Sequence, residues 1–166
     1  MSMRRVAAAA ALALLSSPLD TAAQAADVVA VGLGAYDVRH GDTEAQLRLE
    51  YRVAHAFLWI FKPLAGAFLA ADGTFFAYAG ARVEASLTDH IVLMGDGAAG
   101  YWRQGRGLDL GDAVEFKTGA ELAYRFDDES RLGIAFDHVS NAGIAKLNPG
   151  VESLLLVYSV PLGGAR

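Results

Sequence analysis

Period-two alternation dominates this chain. In AQLRLEYRV, Leu47, Leu49, Tyr51 and Val53 alternate with Gln46, Arg48, Glu50 and Arg52. In AVEFKTGAELAYRF, Val114, Phe116, Ala120, Leu122, Tyr124 and Phe126 alternate with Glu115, Lys117, Glu121 and Arg125. A period of two held over about ten residues defines a strand with one apolar and one charged face. The strands of a soluble sandwich need only about five or six residues. Eight longer segments are predicted here: Val28 to Val38, Ala45 to Val53, Phe57 to Ala70, Gly73 to Ala85, His90 to Trp102, Asp112 to Phe126, Arg131 to Ser140 and Val151 to Leu162. That number and length fit an all-β fold, an eight-stranded antiparallel up-and-down transmembrane β-barrel.

The connections support this order. Short turns at Ala54-His55, Leu87-Thr88-Asp89 and Asp127-Asp128-Glu129 alternate with mostly longer ones: Arg39 to Glu44, RQGRGLDLG and NAGIAKLNPG, with AADG a tight exception. The longer loops are expected to face outward and the termini the periplasm. Arg48, Glu50, Arg52, Arg82, Glu84, Glu115, Lys117, Glu121 and Arg125 then point into a lumen filled by side chains, too narrow to conduct. Two segments alternate poorly. FLWIFKPLAGAFLA is predicted as a strand with a bulge at Pro63, and the glycines of IVLMGDGAAGYW as a bend.

Residues 1–25 carry Arg4 and Arg5, an apolar run from Val6 to Leu15 and the small-residue end Ala23-Gln24-Ala25. They are predicted to be a cleaved secretory signal peptide, leaving 26–166 as the outer-membrane barrel. The mature chain has no cysteine, so packing or a closed hydrogen-bonded sheet must hold it. A net charge of -5 argues against a nucleic-acid partner. No Walker loop, dinucleotide fingerprint or metal-ligand spacing occurs, and no metal or cofactor is expected.

Near the end stands FDHVSNAGIAKLNPGVESLLLVY. Alternation along Arg131 to Ser140 puts Leu132, Ile134, Phe136, His138 and Ser140 on one face, the face whose large apolar members suit lipid. The outer face of the next strand holds Glu152, Leu154, Leu156, Tyr158 and Val160. Pairing about Ala145 sets Leu132 against Tyr158, Ile134 against Leu156, Phe136 against Leu154 and His138 against Glu152. Ser140 lies two residues beyond His138, roughly 7 Å along the strand. Nucleophile, base and orienting carboxylate thus fall in the order a triad needs. The same spacing fits interfacial polar residues at a strand end.

FDHVSNAG followed by NPGVES resembles the signature of the outer-membrane lipid A 3-O-deacylases, the PagL family. The resemblance implies an eight-stranded barrel with an outward-facing site and lipid A, or lipopolysaccharide, as the outer-leaflet substrate. It implies Ser140 as nucleophile, His138 as general base, Glu152 as orienting carboxylate and Asn141 as a contributor to the oxyanion hole. Strict alternation turns Asn141 inward, so the strand must end or twist at Ser140 for its amide to reach the acyl oxygen. Phe136, Leu154 and Leu156 form the apolar platform below the site. An outer-membrane phospholipase and a non-enzymatic structural or adhesive barrel are the alternatives.

His40, His55 and His90 fall in or beside turns and read as solvated, with His40 and Asp42 a conceivable acid/base pair. Tyr51, Tyr78, Tyr124, Trp59 and Trp102 read as interface girdle or barrel packing. Arg103 and Arg106 read as loop charge.

Overall fold

The structure, a computed structural model, describes residues 26–163; the predicted signal peptide lies outside the described residues. Eight strands form: β1 (Val28–Tyr36), β2 (Glu44–Arg52), β3 (Lys62–Ala70), β4 (Phe75–Ser86), β5 (Ile91–Arg103), β6 (Val114–Arg125), β7 (Arg131–Ser140) and β8 (Val151–Pro161). Each pairs antiparallel with the next, and β1 pairs with β8, closing the barrel. Closure leaves no strand edge with unpaired backbone groups, the condition a sheet must meet to sit in hydrocarbon. β1 begins and β8 ends at one end of the barrel. The connections 37–43, 104–113 and 141–150 lie at the other, and the latter two are the longest in the barrel, the arrangement expected of an extracellular end.

Alternation sorts the side chains as predicted. Leu33, Leu47, Leu49, Leu122, Ile134 and Leu156 are exposed on the outer face, while the charged partners turn inward. At mid-height Arg48 bonds Asp137 at 2.6 Å, Arg52 reaches Glu121 at 2.6 Å and Glu50 at 2.7 Å, and Lys117 meets Asp137 at 3.0 Å and Asp96 more closely. Tyr78 donates to Glu50 at 2.8 Å. Desolvated charges are tolerable only in such opposed sets. Gly119 makes room for this one, since a Cβ there would stand 2.5 Å from carboxylate oxygens of Asp137 and Asp96. Nearer the terminal end, Glu84 gathers Lys62, Arg82 and Arg131 at 2.8, 2.9 and 3.0 Å. Toward the far end the filling becomes aromatic: Tyr36, Phe68, Phe76 and Trp102 contact one another under Leu110 of the 104–113 loop. Tyr78 and Trp102 are thus barrel packing, whereas Tyr51 and Tyr124 face outward.

Four expectations need correction. The third strand begins at Lys62 rather than Phe57, because Leu58 and Trp59 adopt positive φ (47° and 66°) and turn the chain back on itself through a Phe57–Phe61 bridge. The Ala54-His55 turn is therefore the nine-residue connection 53–61. No bulge forms at Pro63, which pairs with Ala81 in an unbroken register. Its carbonyl accepts from Val53 N–H just beyond the last β2–β3 pair, Arg52 with Leu64, and the Val53 carbonyl, which the missing N–H would have met at this strand end, accepts from Arg82 Nη2 at 3.1 Å instead. β5 likewise runs unbroken through its glycines over 13 residues. Finally, Arg125 does not join the luminal network; it donates to the Asp89 carbonyl at the terminal end, at 2.8 and 3.1 Å.

Candidate active site

The β7–β8 ladder adopts the register read from the sequence, with Leu132, Ile134, Phe136 and His138 opposite Tyr158, Leu156, Leu154 and Glu152. His138 Nδ1 lies 3.0 Å from Glu152 Oε1. A carboxylate on Nδ1 fixes the tautomer whose Nε2 is the basic nitrogen, as a general base requires. Phe136, Leu154 and Leu156 are about half exposed on the same outer face, directly toward the membrane middle. On the other flank, β6 sets Thr118 against His138 and Phe116 against Ser140. Ser140 ends β7, partly exposed, and its hydroxyl has no hydrogen-bond partner among the described residues.

Glu152 differs from expectation in its surroundings. It alternates outward but is buried, because the 37–43 loop continues alongside β8: Val38 N–H donates to the Glu152 carbonyl at 3.1 Å. Arg39 of that loop donates from Nη1 to Glu152 Oε1 at 2.8 Å, on the oxygen that also meets His138. Arg39 can only donate, so this oxygen accepts, and as a carboxylate it can accept from both the guanidinium and a His138 Nδ1–H. Arg39 was not foreseen, and no signal in the sequence marks it; it lies 113 residues from its partner. Gly150 supplies the remaining wall. With φ +70° it packs its Cα against the imidazole, where a Cβ would stand 2.6 Å from His138 Cε1.

Asn141 is fully buried. Its Nδ2 donates to the Leu110 carbonyl at 2.6 Å and the Leu147 carbonyl at 2.7 Å, using both amide hydrogens. Its Oδ1 accepts from Gly143 N–H at 2.9 Å, and its own N–H donates to Asn148 Oδ1 at 3.0 Å. The side chain therefore clasps the 141–150 turn to the 104–113 loop. Alternation does turn it inward, as the sequence implied. His40 pairs with Asp37, at 2.6 Å, rather than Asp42.

An eight-stranded antiparallel barrel that carries a histidine–carboxylate pair and a serine on its lipid-facing surface defines the class of protein. The family model for lipid A 3-O-deacylase (PagL) matches residues 45–161, and this chain belongs to that family. Among curated proteins it is similar to the lipid A deacylase PagL of Bordetella bronchiseptica, 34% identical over 50 residues. That match spans 30% of this chain and 28% of the relative. Among solved structures, the fold resembles the crystal structure of the outer membrane enzyme PagL, with a TM-score of 0.64 at 21% identity over 81% of this chain and 99% of that one. A de novo designed transmembrane β-barrel matches with a TM-score of 0.58 at 11% identity over 85% of this chain and 98% of that one.

Proposed function

We propose that this chain is an outer-membrane esterase that removes the 3-O-linked acyl chain of lipid A by a Ser140, His138, Glu152 mechanism, after export through its N-terminal segment. The observation that carries the reading is the 3.0 Å contact between His138 Nδ1 and Glu152 Oε1 on a lipid-facing hairpin, two residues from a serine, in a chain of this family. Ser140 Oγ attacks the acyl carbonyl while His138 Nε2 takes its proton. The tetrahedral intermediate collapses, the C–O bond to the sugar breaks, and His138 returns the proton to the departing hydroxyl. Water, deprotonated by the same nitrogen, then attacks the acyl-enzyme and releases the fatty acid, restoring Ser140.

Asn141 contributes to oxyanion stabilisation through the turn it orders, its own amide hydrogens being held by Leu110 and Leu147. Phe136, Leu154 and Leu156 support the substrate's apolar tails, which already lie in the outer leaflet, so positioning needs little desolvation. The test is mass spectrometry of lipid A from cells expressing the chain or Ser140→Ala. Loss of one ester-linked acyl chain with the wild type and none with the variant is expected. Unchanged lipid A with altered phospholipids would transfer the site to the phospholipase reading, and no lipid change at all would leave a non-enzymatic barrel.

A further inference from the structure

The terminal end of a small outer-membrane barrel ordinarily carries short turns, yet the β2–β3 connection runs over residues 53–61. It reads VAHAFLWIF, without a carboxylate, a lysine or an arginine. The Phe57–Phe61 bridge closes it, with the two rings 6.4 Å apart. At its tip Leu58 and Trp59 take left-handed φ, a conformation that hairpin turns normally assign to asparagine or glycine. The conformation leaves Leu58 68% and Trp59 90% exposed, with Phe57, Ile60 and Phe61 exposed beside them. Five consecutive large apolar side chains thus stand outside the barrel, whereas the other turns at this end, 87–90 and 126–130, each carry a single exposed apolar side chain, Leu87 and Phe126, among polar residues.

Water is a poor environment for such a loop, and its placement identifies a better one. Phe61 shares a shallow cavity of about 320 Å³ with Arg82, Asp96 and Gly119 of the inward rows and with Ala81, Val83, Gly95 and Gly97. The last four belong to the outward rows of β4 and β5, alternating with inward-facing Arg82, Met94 and Ala98. The loop therefore lies beside the lipid-facing wall and continues it, and a Cβ on Gly97 would meet nothing within 4 Å. Aromatic side chains continuous with a barrel's apolar band belong at the boundary between headgroups and hydrocarbon.

We propose that the Phe57–Phe61 knuckle is a membrane anchor, seated in the interfacial zone of the inner, periplasmic leaflet with Trp59 at its tip. Lipid fills the space between Phe61 and the small-residue wall. The anchor fixes how deep the barrel sits, independently of any chemistry at the far end.

The chain has two tryptophans, Trp59 and the barrel-filling Trp102, which is 3% exposed. A Trp102→Phe protein in phosphatidylcholine vesicles makes Trp59 the sole reporter. Should that variant fail to fold, the difference in emission between wild type and Trp59→Phe carries the same signal. Expected are blue-shifted Trp59 emission, loss of at least about half of it with lipids brominated near the headgroup, and little quenching by aqueous acrylamide. Red-shifted emission quenched by acrylamide would overturn the proposal in favour of a water-exposed loop awaiting a periplasmic protein. Protection from both quenchers would overturn it in favour of contact with a second copy.

Discussion

Asp137 and His138 are neighbours on β7, and the strand's alternation sends them to opposite faces of the barrel wall. Asp137 enters the lumen and meets Arg48 at 2.6 Å and Lys117 at 3.0 Å. His138 faces lipid and meets Glu152 on one nitrogen only. The luminal group is held from two sides by cations that have further partners, so its interactions end within the protein. The outward group keeps one nitrogen unengaged, two residues along the strand from a serine hydroxyl that also has no partner among the described residues. Polar side chains whose hydrogen-bonding capacity closes on itself specify a fold; those with one direction left open are available to a substrate. The luminal pattern is not complete: Glu115 and Gln46 are buried with neither side-chain polar atom hydrogen-bonded, and Trp102 Nε1 is likewise unpartnered, and nothing in the structure explains them.

The contrast breaks most sharply under two substitutions. Ser140→Ala is expected to lower kcat on lipid A by about 10⁵-fold or more while leaving untouched the heat-modifiable mobility that a closed barrel displays on gels. Arg48→Ala should do the reverse. It removes the nearest cation from Asp137 and a second one from Glu121, leaving Lys117 and Arg52 as their remaining partners, a loss of up to about 3–5 kcal/mol of stability, read as a lower denaturant midpoint for the heat-modifiable form with kcat per folded molecule retained. Exchange of these two outcomes would show that the faces had been assigned the wrong roles.

Glu152→Gln sharpens the outer half. The amide keeps the shape but can no longer stabilise the imidazolium or enforce its tautomer, so kcat should fall by about 10³-fold, less than for Ser140→Ala. Gly150→Ala acts on the same imidazole from the opposite side. The new Cβ, 2.6 Å from Cε1 and on a backbone at φ +70°, must push His138 from its place. Misplacement by about 1 Å costs on the order of 10²-fold. Solvent kinetics in mixed micelles measure both, and wild-type rates in Gly150→Ala would mean that His138 tolerates more positions than a base can.

The sequence announces what is periodic and local. The barrel, the inward charges and the β7–β8 register all follow from alternation, because one burial rule governs every second residue and a slip of one would invert it. What it hides is non-local or conformational. Asn141 reads as an inward-turned amide next to Ser140, but the sequence does not show that the Leu110 carbonyl it donates to comes from a loop 31 residues away. The apolar run at 57–61 reads as strand because nothing in Leu58-Trp59 signals left-handed backbone, and the correction came from a turn normally written with other residues. Pro63 suggested a bulge because composition does not reveal that its nitrogen stands at the strand end, where Arg82 donates to the Val53 carbonyl in its place.

The smallest expected effect tests the part of the site least visible in the sequence. Arg39 reaches Glu152 from an exposed loop position, its side chain 66% accessible, so it is a positioning residue and not a catalytic one. A pair with one partner this exposed and the other, Glu152, retaining His138 contributes little to stability, about 0–1 kcal/mol, and Arg39→Gln should leave the denaturant midpoint almost unchanged. Its value lies in direction: together with the Val38 amide it holds the 37–43 loop along β8 and keeps the Glu152 carboxylate turned to His138. Losing it should lower kcat by no more than about 10-fold, the scale of one weakened hydrogen bond, with KM unchanged because Arg39 is not on the Phe136, Leu154, Leu156 platform. Arg39→Lys keeps a cationic donor and should recover most of the rate. A rise in KM in place of a fall in kcat would instead make Arg39 a contact for the substrate's anionic headgroup, and the outer face would then carry recognition as well as chemistry on the same loop.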